Sequence, residues 1–175
     1  MGIETACAFT GHRPKSFPWK YSETDPRCLA LKASLSEQIA KLVQTGVTDF
    51  YSGMALGVDL WCSRIVLDLK QKNPALKLHC ILPCEGQEHK WAPSAQKQYH
   101  TILSQADEVV YVHQTYSPNC MFERNRYMVD RAGILLAAYT GTYRSGTGMT
   151  VPYAGKMGRK TIIIDPKTGD VISHN

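Results

Sequence analysis

Residues 133–139, Gly-Ile-Leu-Leu-Ala-Ala-Tyr, are almost wholly apolar, and this stretch restricts the fold more than any other. A strand with one wet face alternates apolar and polar residues, whereas an uninterrupted apolar strand is covered on both faces. Covering both faces of a parallel sheet takes helices above and below it.

The rest of the chain alternates to match. Residues 5–10 form a short apolar run stopped by Gly11. Asp25-Pro26 is a helix-opening pair, a capping carboxylate followed by proline at the first helical position. Leu31, Leu35, Ile39 and Leu42 recur at helical spacing, and Gly46 ends that helix. Residues 48–52 predict a second strand. A second helix from about Gly57 buries Val58, Trp61, Cys62, Ile65 and Leu69 and stops at Asn73-Pro74. Strands are predicted over 76–82, 108–112 and 133–139. Helices are predicted over 88–105 and from Pro118-Asn119 to Arg131, with a short one ending at Gly158. Residues 161–165 are the last predicted strand, and 166–169 a terminal turn. The expected fold is α/β: a single Rossmann-like domain over 1–175, its mostly parallel sheet carrying helices on both faces.

Composition excludes several classes. With 43% apolar and 20% charged residues the chain is globular and not disordered. No apolar run reaches the ~18 residues of a membrane helix. The start lacks the basic-then-apolar pattern of a secretory signal, and Ala6 stands where myristoylation wants Ser or Thr. The six cysteines, in a chain too long and apolar to need staples, are expected to be reduced and buried. Cys80, Cys84 and His89 are too loosely spaced for zinc, so no metal is expected. These readings lead to the expectation of a cytoplasmic protein. The net charge of +5 suits an anionic partner, but no Lys/Arg cluster marks a DNA-binding face.

In a parallel α/β sheet the ligand sits at the carboxyl ends of the strands, so only the strand-to-helix loops need inspection. The first carries Thr10-Gly11-His12-Arg13-Pro14. The second carries Ser52-Gly53-Met54-Ala55-Leu56-Gly57-Val58-Asp59. Later come Glu123-Arg124-Asn125-Arg126 and then Thr140-Gly141-Thr142-Tyr143-Arg144-Ser145-Gly146-Thr147-Gly148. Glycines at a helix mouth let a phosphate reach free N–H groups and the positive end of the helix dipole. Ser52, Ser145 and Thr147 add hydroxyls, and Arg13, Arg124 and Arg144 add forked cationic donors. Gly141–Thr147 has the glycine spacing of a P-loop without its lysine, and no G-x-G-x-x-G, G-x-S-x-G or H-E-x-x-H occurs.

These segments resemble known families. Residues 52–59 resemble the Ser-Gly-x-Ala-x-Gly-x-Asp segment of the DNA-processing protein A family. Residues 121–128, Met-Phe-Glu-Arg-Asn-Arg-Tyr-Met, resemble the Met-x-x-Arg-Lys-x-x-Met segment of the Lonely-guy nucleotide hydrolases. Both belong to the Rossmann-like SLOG superfamily. Thr-Gly-His-Arg-Pro at 10–14 makes the chain look most like its YpsA-like branch.

The resemblance implies a nucleotide or ADP-ribose-like ligand and no required cofactor. Its ligand-binding set is Gly11, His12, Arg13, Ser52, Gly53, Met54, Gly57, Asp59, Arg124, Asn125, Thr140, Gly141, Ser145, Gly146 and Thr147. Arg124 matches the Lonely-guy arginine beside the ribose phosphate, and Asn125 replaces that family's lysine. Gly146-Thr147 matches the Gly-Thr of Pro-Gly-Gly-x-Gly-Thr-x-x-Glu, but Thr140-Gly141-Thr142 replaces Pro-Gly-Gly and Thr150 stands in place of the glutamate. Without that carboxylate the obvious group to activate water is missing. Binding or sensing is therefore the first expectation. A nucleotide N-glycosidase is the second, with Arg124, Asp59 and Glu123 as its candidate catalytic residues and Glu85 as a further carboxylate.

Several residues keep plainer alternatives. Asp59 also suits a helix-start charge. Glu123 also suits an ion pair with Arg124 or Arg126. Arg124 also suits a surface ion pair with Glu123 or Asp130. His12 also suits a structural hydrogen bond. Trp19, Tyr21, Trp91, Tyr139 and Tyr143 are aromatics near the expected site, able to stack on a base or to pack the loops. Single-stranded DNA is the least expected ligand. A homodimer is expected, through the Met121/Met128/Val129 face or the Tyr153/Met157 face.

Overall fold

The computed structural model describes residues 2–141 and 146–175. In chain order the elements are β1 (Ala6–Gly11), α1 (Pro26–Gln44), β2 (Asp49–Ser52), α2 (Val58–Lys70), β3 (Lys77–Leu82), α3 (Pro93–Gln105), β4 (Glu108–Tyr111), α4 (Cys120–Arg131), β5 (Ile134–Ala138), α5 (Gly146–Lys156), β6 (Lys160–Ile164) and β7 (Val171–His174). They build a seven-stranded sheet in the order β4-β3-β2-β1-β5-β6-β7, parallel except for β7. This is a single Rossmann-like α/β domain.

Helices cover both faces. Leu31, Leu35 and Ile39 of α1, Leu60 and Val66 of α2, and Tyr99 and Ile102 of α3 pack with Phe9, Phe50, Leu78 and Leu136 of the sheet. Met128 and Val129 of α4 and Ala154 of α5 pack with Ala6, Ala8, Ile81 and Leu135. β5 lies between the two layers, and its residues from Leu135 to Ala138 are fully buried, which accounts for its apolar run. The chain winds outward from β1 to β4, then crosses back to place β5 against β1. The loops after β1 and β5 thus part in opposite directions, and a crevice opens between them.

Local chemistry explains the ends. Asp25 accepts the Arg27 N–H at 2.9 Å with Pro26 in the first turn, and Gly46 closes α1 at φ +99°. At the far end of the sheet, His79 bridges Asp49 on β2 (2.8 Å) and Glu108 on β4 (2.7 Å), tying three strands together.

Four expectations need correction. α3 begins at Pro93, not at 88, because residues 86–91 are held as tight turns by His89 N–H to Gly86 O and Trp91 N–H to Glu88 O. Residues 161–165 are not the last strand, since 166–169 turn the chain back into β7. β7 is exposed throughout and so carries no apolar pattern to read. In α2, Ile65 and Leu69 are only half-buried, while Leu60, Val66 and Leu67 are buried, because the helix is wedged between α1 and α3. Met128 and Val129 are core, not a dimer face. All six cysteines are buried thiols. Among the described residues no helix is long and apolar enough to cross a membrane.

Gly11 is where α2 comes nearest to β1: a Cβ there would stand 2.5 Å from the Cβ of Val58, the first residue of α2. Gly11→Ala should therefore cost about 1–3 kcal/mol by overpacking. Urea unfolding should show that loss, and Val58→Ala in the same chain should recover part of it, a coupling that a double-mutant cycle measures.

Candidate functional site

The crevice at the switch point holds a cavity of about 250 Å³. β1 and its loop supply Thr10, Gly11, His12 and Arg13, and the following 3₁₀ turn supplies Lys15 and Ser16. Asp59 comes from α2, Arg124 and Asn125 from α4, and Gly146 and Thr147 from the first turn of α5. Thr10 and Thr147 bring their hydroxyls within 3.5 Å, joining the end of β1 to the start of α5.

The loop after β2 is shaped from within. Met54 sits at φ +56°, a left-handed conformation that costs a non-glycine residue ~1–2 kcal/mol. The Ser52 hydroxyl accepts the Met54 N–H (3.1 Å) and donates to Asp59 O (3.3 Å), while the Asp59 carboxylate accepts the Ala55 N–H (3.1 Å). Both ends of the loop are thereby tied to one turn of α2. Ser52 and Met54 are completely buried and line no part of the cavity, so they support the site and do not face a ligand.

Arg124 is buried at 2% exposure. Its Nη1 donates to Gly53 O, its Nε to Asn125 Oδ1 at 2.7 Å, and its Nη2 lies 3.7 Å from the Met121 sulfur. The pairings with Glu123 or Asp130 that the sequence allows are not made. Glu123 turns outward to His113, and Asp130 accepts from the Tyr153 hydroxyl at 2.7 Å. Gly53 has no side chain because the guanidinium takes that space: a Cβ would lie 2.5 Å from its central carbon. Gln87 Nε2 adds a second donor to the Gly53 carbonyl at 3.2 Å.

Burial governs the charges. It draws the Arg124 guanidinium down to about 10, against the pull of nearby Asp59. It also pushes the Asp59 carboxyl above the usual range, a shift that Arg124 and Arg13 oppose. His12 is shifted down by burial. Its Nε2 accepts the Thr140 N–H (3.2 Å) and lies 2.9 Å from the Thr140 hydroxyl, which assigns the proton of the neutral ring to Nδ1. His12 thus ties the β1 loop to the β5 loop while lining the cavity.

Several expected site residues stand elsewhere. Gly57 and Thr140 are not on the cavity wall, nor is Gly141, which holds a left-handed turn at φ +88°. Gly57 takes φ +96°, and a Cβ there would come 3.0 Å from Pro14 Cδ. Glu123 does not line the cavity but a wider concavity beside it, with Phe122 and Arg126, that shares Asn125 and Gly146 with it, and Glu85 is exposed. Ser145 and Arg144, with Thr142 and Tyr143, lie outside the described residues. Trp19 is packed on Phe17 with ring centres 4.7 Å apart, a structural role. Thr10, Lys15 and Ser16 were not anticipated. Their signal was available, since all lie in or beside the start of the first strand-to-helix loop, at the carboxyl end of β1 where the crevice opens. Among the described residues no group of three His, Cys, Asp or Glu side chains is placed to hold a metal ion.

The sequence matches the YpsA model, described as the YspA SLOG family, over residues 7–161. The chain belongs to this family. A UPF0398 protein of Bacillus pumilus is 31% identical over 134 residues, covering 75% of this chain and 72% of that protein. The SPbeta prophage-derived protein YoqJ of Bacillus subtilis is 32% identical over 148 residues, covering 75% and 84%. Among solved structures, DNA processing protein A from Streptococcus pneumoniae superposes at a TM-score of 0.57 with 13% identity, over 90% of this chain and 50% of that one. The Helicobacter pylori protein, described for its single-stranded DNA binding mode, reaches 0.61 with 16% identity, over 91% and 65%. The chain thus spans about half to two thirds of these two structures, and at such identities the likeness is one of fold.

The burial of Arg124 makes it structural as well as exposed to the cavity. Arg124→Ala should cost about 3 kcal/mol in urea unfolding, because it takes a positive charge from beside the buried Asp59 carboxylate and one of two donors from the Gly53 carbonyl. Glu123→Ala, which breaks only the half-exposed pair with His113, should cost under ~1 kcal/mol.

Proposed function

We propose that the chain binds a nucleotide or nucleotide derivative, with phosphate held in the crevice between the β1 and β5 loops. One observation carries this reading. Arg13, Lys15 and Arg124 converge with the first turn of α5 on a cavity whose only carboxylate among the described residues is Asp59. That is an excess of positive charge, reinforced by a helix N-terminus, in a partly dry site where charge-assisted hydrogen bonds are strong. Arg124 spends three of its five N–H donors on the bonds above, among the described residues, and the others remain for a ligand oxygen. Any bond cleavage would rest on Asp59, since Glu123 is off the cavity wall and paired with His113. The binding reading therefore stands ahead of the hydrolase.

Thermal shift and calorimetry against a nucleotide panel test it. A ligand at ~100 times its Kd should add about 2.7 kcal/mol to stability. Arg13→Ala, which removes a half-buried cation outside the core, should weaken binding by ~1.5–3 kcal/mol with little change in unfolding. Absence of stabilisation by any phosphorylated nucleoside would remove the proposal.

The Helicobacter pylori neighbour supports a second reading, single-stranded DNA binding. It predicts affinity that falls steeply with salt, by about 0.7 log units per log unit of salt for each phosphate contacted. A nucleotide held by two or three side chains should show a shallower slope.

The site should also respond to pH. Asp59, His12, Arg13, Lys15 and Arg124 are the charged and titratable groups on its walls. The Asp59 carboxyl is shifted upward, so the charge opposing an anion disappears as pH falls through that raised value. His12 is shifted downward and gains its charge only further toward acid, acting in the same direction. Sulfate keeps its charge from about pH 8 to about pH 5, so its affinity isolates the protein's titration. It should rise as the pH falls in the parent and rise less in Asp59→Asn.

A further inference from the structure

The geometry points to a second subsite beside the phosphate cavity, formed by Tyr21 and Trp91, that takes the planar base of a nucleoside diphosphate. This inference rests on the phosphate reading above and adds to it the direction in which the ligand lies.

A concavity of about 230 Å³ adjoins the cavity, and Arg13 and Lys15 line both. Its remaining walls are of a different kind: Tyr21, Trp91, Leu56 and Met121 are mostly apolar. One side of the shared cations is thus polar and charged, and the other side is aromatic and apolar. A phosphorylated ligand with a flat ring at one end has the same division.

The aromatic side chains are placed to receive a ring. Tyr21 is 64% exposed on the first loop, unusually open for so large a side chain. Trp91 packs edge-on against Tyr99, with ring centres 5.4 Å apart, so its position is set from behind while it still lines the concavity. Trp19, by contrast, is buried against Phe17 and has no such opening. A base has a π-face of its own, and stacking on a fixed indole or phenol needs no particular hydrogen-bonding edge.

The charges set the length of the ligand. Arg124 and the α5 turn line the cavity alone, while Arg13 and Lys15 line both it and the concavity. Two phosphates in sequence would engage both sets. The base would then leave the junction toward Tyr21 and Trp91.

ADP, GDP and inorganic pyrophosphate distinguish the parts in calorimetry. Both nucleotides should bind about tenfold more tightly than pyrophosphate, or ~1.4 kcal/mol. Tyr21→Ala should shrink that advantage several-fold while leaving pyrophosphate affinity unchanged. Trp91→Ala should do the same, and Trp91→Phe should retain most of the advantage. Arg13→Ala should weaken all three ligands together. Tyr21 is too exposed for its removal to threaten the fold, so that variant decides the matter even where Trp91→Ala unfolds. Equal affinity for pyrophosphate and both nucleotides, or an advantage that survives Tyr21→Ala unchanged, overturns the subsite and leaves the phosphate reading standing. Failure of all three ligands to bind overturns both.

Discussion

The burial of the Arg124 guanidinium against the carbonyl of Gly53 is the contact on which the site depends. It joins α4, from one face of the sheet, to the loop after β2, which feeds α2 on the other face. A guanidinium removed from water is tolerable only where oxygens replace its hydration, and here Gly53 O, Asn125 and the Asp59 charge do so. Each of those partners is in turn committed. Asn125 is buried, Asp59 holds the Ala55 N–H, and Gly53 must lack a side chain. The left-handed turn at Met54 follows from the same constraint, because the chain must aim the Gly53 carbonyl at the guanidinium before starting α2.

Topology explains why such a cluster forms here and nowhere else in the sheet. Between β1 and β5 the winding reverses, so no helix closes over the strand ends, and loops from both halves of the chain face each other across a gap. The His12–Thr140 bonds and the Thr10–Thr147 contact cross that gap directly. Gly11 lets α2 approach β1 closely enough for Asp59 to reach the same space. The cavity is therefore a consequence of where the strands reverse, and its charge is a consequence of which side chains line that place.

Much of this was legible in the sequence. The apolar run at 133–139 predicts a strand buried on both faces, and β5 is one. The loops of Gly11, Gly53, Arg124 and Gly146 were expected to meet at one sheet edge, and they do. The roles were harder to read than the positions. Gly53 looks like a phosphate's approach to the backbone, yet the group that approaches is Arg124, since sequence spacing carries no information about which distant side chain will fill a gap. Ser52 and Met54 belong to the same motif as Gly53 but are buried off the cavity wall, and the left-handed torsion at Met54 is not encoded in composition. Glu123 neighbours Arg124 in the chain, but on a helix consecutive residues diverge by about 100°, so one faces the cavity and the other faces solvent. β7 escaped because a short exposed edge strand has no periodicity to detect.

The same geometry couples stability to binding. Arg124 and Asp59 are held with charges that burial disfavours, as the downward shift of one and the upward shift of the other show. Buried charges of this kind are often replaceable by apolar residues of similar volume with no loss of stability. An anion in the cavity would change that balance in one direction only. It would add oxygens to the guanidinium's unused donors and supply negative charge near Arg13 and Lys15, groups that otherwise repel one another across the wall. The ligand-bound protein should then be the more rigid one, with the largest gain at the loop after β2 and the start of α4. Those two segments meet through Arg124 alone among the cavity's cations, so ordering at one is ordering at the other.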